Sequence, residues 1–448
     1  MRKLIASLAI AALLAAALIA PTGAQAKPRG FIRDAEIETT IRAYATPLFA
    51  AAGLDPQSVR VYLVNDDTLN AFVAGGMNLF IHTGLLMRSE SANQLIGVIA
   101  HETGHIAGGH LARTQDALEN ATAEMILAYV LGIGAAIATG DSGAGAAVIT
   151  GGQTIAQRSL LQYSRTQESA ADQAALSYLD RTAQSARGML EFLEVLGDQE
   201  LLLSSQQDPY LRTHPLSSDR VDTVRNYVSG SPYADSAEPP DFIAAHARMR
   251  AKLVGFLRPL GRVLQQYPES DGSLEGRYAR AIAYYRAADL KRALPMVDGL
   301  IAERPDDPFF QELKGQILFE NGRALEALPY YEAAVRLQPD APLLRQGLAQ
   351  VQLESGDPEL NRAALGQLDE VVRIEPHNAG AWRLLSIAYG RDGQIGMTAL
   401  ALAESAGARG DAKEARQQAD RALKQLPENS PAWLRAQDIF NAASRDDR

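Results

Sequence analysis

The 448-residue chain contains no cysteine, two tryptophans and only 6% aromatic residues, and its 43 Lys+Arg are outnumbered by 53 Asp+Glu, a net charge of −10. Without cysteine there are no disulfides, and no N-terminal cysteine to carry a lipid anchor. Stability must come from packing and from any metal the chain binds. The shortage of cations argues against a nucleic-acid partner, whose phosphates call for clustered Lys and Arg, and the acidic balance favours solubility. With 47% apolar and 21% charged residues, the composition is that of a globular protein long enough for two or more domains, which excludes a disordered or collagen-like chain.

Long apolar runs are scarce as well. One runs from Leu4 to Ala20, behind Arg2 and Lys3 and ahead of Ala24-Gln25-Ala26. That order of cations, apolar run and A-x-A site predicts a signal peptide over residues 1–26, with the mature chain starting at Lys27 and exported. An uncleaved anchor helix is the alternative, although the run is short for a span and ends in Pro21.

The texture of the chain changes near residue 260. Before it, Val59 to Val64 and Asn78 to His82 are β-branched or aromatic runs that read as strands, with Asp66-Asp67 and Gly75-Gly76 as turns. Ser91 to Gln94 fits a capping box ahead of the apolar run Leu95 to Ala100, which predicts a helix leading into His101. After residue 260 the pattern is helical and repeats. Proline turns recur at Pro268, Pro305, Pro339, Pro376 and Pro427, and Pro305 to Pro339 is 34 residues, the period of a tetratricopeptide repeat. Gly315, Ala327, Tyr331, Ala334 and Pro339 stand where that repeat has its small, aromatic and terminating residues. The other spacings of 37, 37 and 51 are irregular, and an extra helix or a displaced repeat is expected between Gly390 and Gly410.

The chemistry is concentrated in His101-Glu102-Thr103-Gly104-His105, an H-E-x-x-H motif. At about 100° per residue, two histidines four apart share one helix face and can reach one ion. Glu102, at the edge of that face, can take a proton from an activated water and pass it to a leaving amine. A catalytic zinc site needs a third protein ligand. His110 is a poor one, because on a continuing helix it points about 180° from His101, and it reads as a capping or packing residue. Glu168 in Tyr163 to Asp172 is the better candidate, one turn before Asp172. Asp172 would then accept the ring N–H of a ligand histidine and fix its tautomer. Alone, two acids four apart describe only a solvated face. Ala170 and Ala171 allow close helix approach, and Gly104, costly inside a helix, predicts a backbone packed against it.

Together, HETGH, ESAAD, Asn70-Ala71-Phe72, Met77 to Leu86 and Thr213-His214-Pro215 followed by Arg220 resemble the M48 peptidases, zinc-dependent gluzincin endopeptidases. With a signal peptide in front and tetratricopeptide repeats behind, the layout resembles their periplasmic β-barrel-assembly-enhancing group. The resemblance implies one zinc ion held by His101, His105 and Glu168, with Glu102 as general base and acid, and surveillance of outer-membrane proteins. It also implies that His214 lies near the metal. There His214 either fills the fourth zinc position at rest or donates to the oxyanion, the alternative being a loop histidine held by Pro215. Arg220 either orients a carboxylate near the site or forms a surface ion pair.

Three expectations concern the surroundings of the site. Asn78 to His82 is an edge strand that pairs with substrate backbone, with His82 as a packing or solvent-facing residue. The apolar, glycine-rich stretch 125–152, interrupted by Asp141 and Ser142, is a buried helical hairpin over the site or a lid that touches a membrane surface or partner. His246 and His377 are structural.

The expected architecture is α+β and mainly helical: a metallopeptidase domain over 27–260 and an α-solenoid over 268–448. The expected activity is periplasmic cleavage of unfolded or misassembled protein, with the repeats binding clients or assembly machinery. The rival reading is a chaperone-like adaptor with a latent peptidase site.

Overall fold

A computed structural model describes residues 30–110, 113, 164–200 and 209–445. The signal-like segment and the apolar stretch 125–152 lie outside the described residues. Four short strands form one sheet: β1 (Phe31–Ile32), β2 (Arg60–Val64), β3 (Ala71–Ala74) and β4 (Asn78–His82), in the order β1-β2-β4-β3. β4 runs parallel to β2 and antiparallel to β3. The strand expected at the edge is therefore interior, and the edges belong to β1 and β3. The reason lies in the side chains of β4. Leu79 and Ile81 are fully buried on the core face, and Phe80 stacks on Tyr62 of β2 and on Phe72 of β3, each with ring centroids 5.0 Å apart. Both flanks of β4 thus gain from pairing. The β3–β4 hairpin turns on Gly75 and Gly76, whose φ values of +58° and +94° favour glycine.

The helices of the first half are α1 (Ala35–Ala51), α2 (Thr83–Arg88), α3 (Ala92–Ala107), α4 (164–181), α5 (Arg187–Glu200), α6 (Pro209–Thr213), α7 (Ser218–Gly230) and α8 (Pro240–Leu257). The motif helix α3 starts as its sequence requires. The Ser91 side chain accepts from Gln94 N at 3.2 Å, and the Gln94 side chain accepts from Glu90 N at 2.9 Å, a capping box displaced by one residue on its return side. One apolar core joins the sheet to α1, α3 and α4, and runs on through Val254 and Val263 to Ala279 and Ala283.

From Leu260 onward every described element is a helix: α9 (Leu260–Gln266), α10 (Leu274–Arg286), α11 (Leu290–Glu303), α12 (Pro308–Glu320), α13 (Ala324–Leu337), α14 (Pro342–Glu354), α15 (Pro358–Ile374), α16 (Ala379–Arg391), α17 (Ile395–Ala408), α18 (Ala412–Leu423) and α19 (Pro431–Arg445). Each of the five proline turns falls between helices. The long interval from Pro376 to Pro427 holds α16, α17 and α18, the extra helix that the spacing implied. Tyr331 shows why the repeat needs its glycines: a Cβ on Gly315 would lie 2.7 Å from the tyrosine ring, and one on Gly347 would lie 2.5 Å from it.

A buried ionic cluster ties α1 to the repeats. Arg248 Nη2 lies 2.7 Å from Glu36 Oε1, and its Nη1 lies 2.5 Å from Asp307 Oδ2. Lys252 Nζ lies 2.8 Å from Asp34 Oδ2, and Tyr278 Oη donates to Glu36 Oε2 at 2.7 Å. Removing one partner of such a buried group strands the others without solvent, at a cost of about 3–5 kcal/mol. Arg248→Ala is therefore expected to lower the denaturant midpoint markedly. Arg187→Ala, which removes only an exposed ion pair with Asp235, should leave the midpoint near wild type.

Candidate metal centre

α3 and α4 meet at Gly104. A Cβ there would lie 2.8 Å from Ala171 O and 3.0 Å from Ala171 Cα, so only glycine permits this approach. Ala171 is fully buried in the contact, whereas Ala170 faces outward. The approach puts Glu168 under both motif histidines. Glu168 Oε2 is 3.3 Å from His101 Nε2, and Glu168 Oε1 is 3.3 Å from His105 Nε2. The two Nε2 atoms are 3.1 Å apart. His214 arrives from the loop after α6, its ring stacked on Tyr210 at 4.5 Å. Its Nδ1 lies 3.2 Å from Glu168 Oε1 and 3.4 Å from His101 Nε2.

One ligand atom each from His101, His105, Glu168 and His214 can be chosen so that all lie within 4.8 Å of one another. This is three imidazoles and one carboxylate around one point, and His214 Nε2 is buried without a hydrogen-bond partner. The donor set and its unsatisfied nitrogen fit a divalent metal ion. Glu102 is beside it with no exposed surface and no hydrogen bond to either carboxylate oxygen, its Oε1 3.3 Å from His214 Nε2.

Asp172 and Arg220 complete the setting. His101 Nδ1 is 2.9 Å from Asp172 Oδ1. Arg220 donates to both oxygens of Asp172 at 2.7 and 2.9 Å, and its Nη1 is 2.9 Å from Glu168 Oε2. A further donation to Pro215 O at 2.9 Å ties the His214 loop to the same guanidinium. Arg220 is buried, so the surface ion pair that the sequence left open is not its environment.

The electrostatics follow from this packing. Burial alone would lower the pKa of His101, but its hydrogen bonds to Asp172 and Glu168 prevail and raise it to about 10. For His105 burial prevails, and the value falls to about 3. Burial pushes Glu102 up. Glu168 is held far below the ordinary carboxylate range, because its hydrogen bonds to His101, His105 and His214 outweigh burial. Burial, then the charge of Arg113, lowers His110. The two second-helix carboxylates thus stay ionised and call for positive charge among the imidazoles.

Three other histidines have settled places. His82 is buried on β4, its Nδ1 2.9 Å from Thr68 Oγ1, and His246 Nε2 meets Ser89 O at 2.9 Å. His110 departs from its expected direction. The helix ends at Ala107, and Gly109 at φ +61° turns the chain back, so the ring comes to lie beside His105 instead of on the far side. Two successive glycines, Gly108 and Gly109, were the only signal of this in the sequence.

Residues 32–228 match the model of peptidase family M48, and residues 278–342 match a tetratricopeptide-repeat model. The chain is a metalloprotease with an M48 peptidase domain followed by tetratricopeptide repeats. Over 386 residues it is 27% identical to a beta-barrel assembly-enhancing protease of Yersinia pestis, covering 84% of this chain and 76% of that one. The protein of the same name from Escherichia coli K12 is 27% identical over 348 residues, 76% of this chain and 70% of its own. Among solved structures, the tetratricopeptide protein YrrB, described as having an unusual peptide-binding site, shares 18% identity at a TM-score of 0.29, covering 43% of this chain and 91% of its own.

The Gly104 contact makes a direct prediction. Gly104→Val should force α3 and α4 apart, and with them Glu168 from the histidines. The expected outcome is a lower melting temperature together with loss of metal binding by equilibrium dialysis. Gly97 provides the comparison: a Cβ there would lie 2.7 Å from Met189 Cβ, so Gly97→Val should destabilise α3 against α5 while metal binding to the folded fraction persists.

Proposed function

We propose that this metalloprotease is a periplasmic zinc endopeptidase that hydrolyses unfolded or misassembled outer-membrane proteins. The observation that carries the reading is the meeting of His101, His105, Glu168 and His214 beside the buried, unsolvated Glu102. His101, His105 and Glu168 would hold zinc, whose usual ligands are nitrogen, thiolate and carboxylate in four-coordinate sites. When bound, the ion supplies a Lewis acid that makes water a nucleophile at neutral pH and polarises a carbonyl. Glu102 takes a proton from the attacking water and delivers it to the leaving amine. Asp172 holds His101 by its Nδ1–H, and Arg220 holds Asp172, Glu168 and the His214 loop in register, a positioning role. β3, one of the two edge strands among the described residues, packs beside α3 and offers backbone to an extended peptide.

Export through the 1–26 segment supports the periplasmic location, and the names of the relatives support a client pool in barrel assembly. The repeats would bind clients or assembly machinery along the solenoid surface. Among the described residues no helix is long and apolar enough to cross a membrane; the apolar stretch 125–152 is the segment we propose for peripheral membrane contact.

His214 favours a second, compatible reading in which the resting enzyme is latent. Its Nδ1 stands within the ligand cluster and its Nε2 faces Glu102. A side chain in that place competes with substrate. Two variants of the exported chain test the pair of readings against an unfolded protein such as casein. Glu102→Gln is expected to keep one zinc per chain and abolish cleavage; undiminished function in that variant would instead favour the adaptor. His214→Ala is expected to raise cleavage, whereas a fall would assign His214 to the oxyanion. Dialysis against a chelator should remove activity, and added zinc should restore it.

A further inference from the structure

The two motif histidines have different outer partners. His101 has a carboxylate, Asp172, on its Nδ1 at 2.9 Å. His105 has another histidine: His105 Nδ1 lies 3.0 Å from His110 Nδ1, the rings edge to face with centroids 4.9 Å apart. His110 is buried, and its backbone carbonyl accepts from Gln167 Nε2 on α4 at 3.1 Å, one residue from Glu168. The backbone is shaped around this ring. A Cβ on Gly108 would lie 2.5 Å from His110 Nε2 and 2.8 Å from Cδ2, and Gly109 takes the left-handed turn that brings the ring back.

We propose that His110 is the positioning residue for His105, accepting the His105 Nδ1–H on its own Nδ1 and so holding Nε2 of His105 toward the metal. The inference rests on the reading of His105 as a metal ligand. The direction of the bond follows from that reading. A histidine that coordinates through Nε2 carries its proton on Nδ1 and needs an acceptor there, and loss of such an acceptor commonly weakens metal binding about 10–100-fold. His110 with its own proton on Nε2 supplies a lone pair at the right atom. It does so without adding a further charge to a buried site.

The test is zinc affinity of the full mature chain, measured by competition with a chromophoric chelator, alongside the melting temperature of the metal-free protein. His110→Leu removes the acceptor and should weaken zinc about 10–100-fold while the metal-free melting temperature stays within a degree or so of wild type. His110→Asn places a side-chain carbonyl near the former Nδ1 and should recover most of the affinity. Wild-type affinity in His110→Leu would overturn the proposal. So would equal losses in both variants accompanied by a fall in the metal-free melting temperature, which would mark a packing role. His105→Ala separates this from the wider reading: if it binds zinc as tightly as wild type, His105 is no ligand and both fall, whereas loss in His105→Ala with none in His110→Leu sinks the positioning role alone.

Discussion

The site depends on one backbone contact, the approach of α4 to Gly104. A motif helix brings two imidazoles to one face, but it cannot supply the third ligand, because every residue within reach along the same helix faces elsewhere or is too far up the axis. The third ligand has to come from another helix, at a separation shorter than two ordinary side chains allow. Glycine at 104 against the backbone of Ala171 removes the obstacle. Once α4 lies there, its own 3.6-residue period delivers Glu168 to both histidines and Asp172, one turn on, to the outer nitrogen of His101. Arg220 then bridges the two carboxylates and the Pro215 carbonyl, so that the loop bearing His214 is positioned by the same contact at one remove.

The parts that could be read in the sequence were those governed by local rules. The capping residues at Ser91 and Gln94, the i, i+4 pairing of His101 with His105 and of Glu168 with Asp172, and the proline turns of the solenoid all follow from spacing along one chain. Tyr331 packed between Gly315 and Gly347 is the physical content of the repeat pattern. Where the reading failed, the deciding contacts were non-local or hung on a single turn. β4 looks like an edge strand from its own five residues, and only the partners of Phe80 on either side reveal it as interior. The direction of His110 depended on whether α3 continued, and two glycines stopped it.

The ionic cluster of Asp34, Glu36, Arg248, Lys252 and Asp307 adds a constraint of another kind. Buried ion pairs contribute little net stability compared with apolar packing, yet they tolerate no change of partner. Their effect here is to fix the start of α1 to one register against the repeat helices. α1 packs with α3 in the same apolar core, so the solenoid and the motif helix share a continuous body.

The charge of the site explains why its outer partners differ. Glu102, Glu168 and Asp172 are three buried carboxylates, and Arg220 is the one buried guanidinium among them. A divalent ion, held as proposed with neutral imidazoles, brings the total to zero. Without it, a proton on His101 offsets part of the excess, which is the physical reason that histidine is held so basic. A carboxylate on the outer side of His105, matching Asp172, would leave one buried negative charge without compensation, at a cost of several kcal/mol. A neutral imidazole at His110 provides the same acceptor geometry without that charge. On this argument the histidine and the aspartate are not interchangeable outer partners: the second is tolerated only because Arg220 is there to meet it.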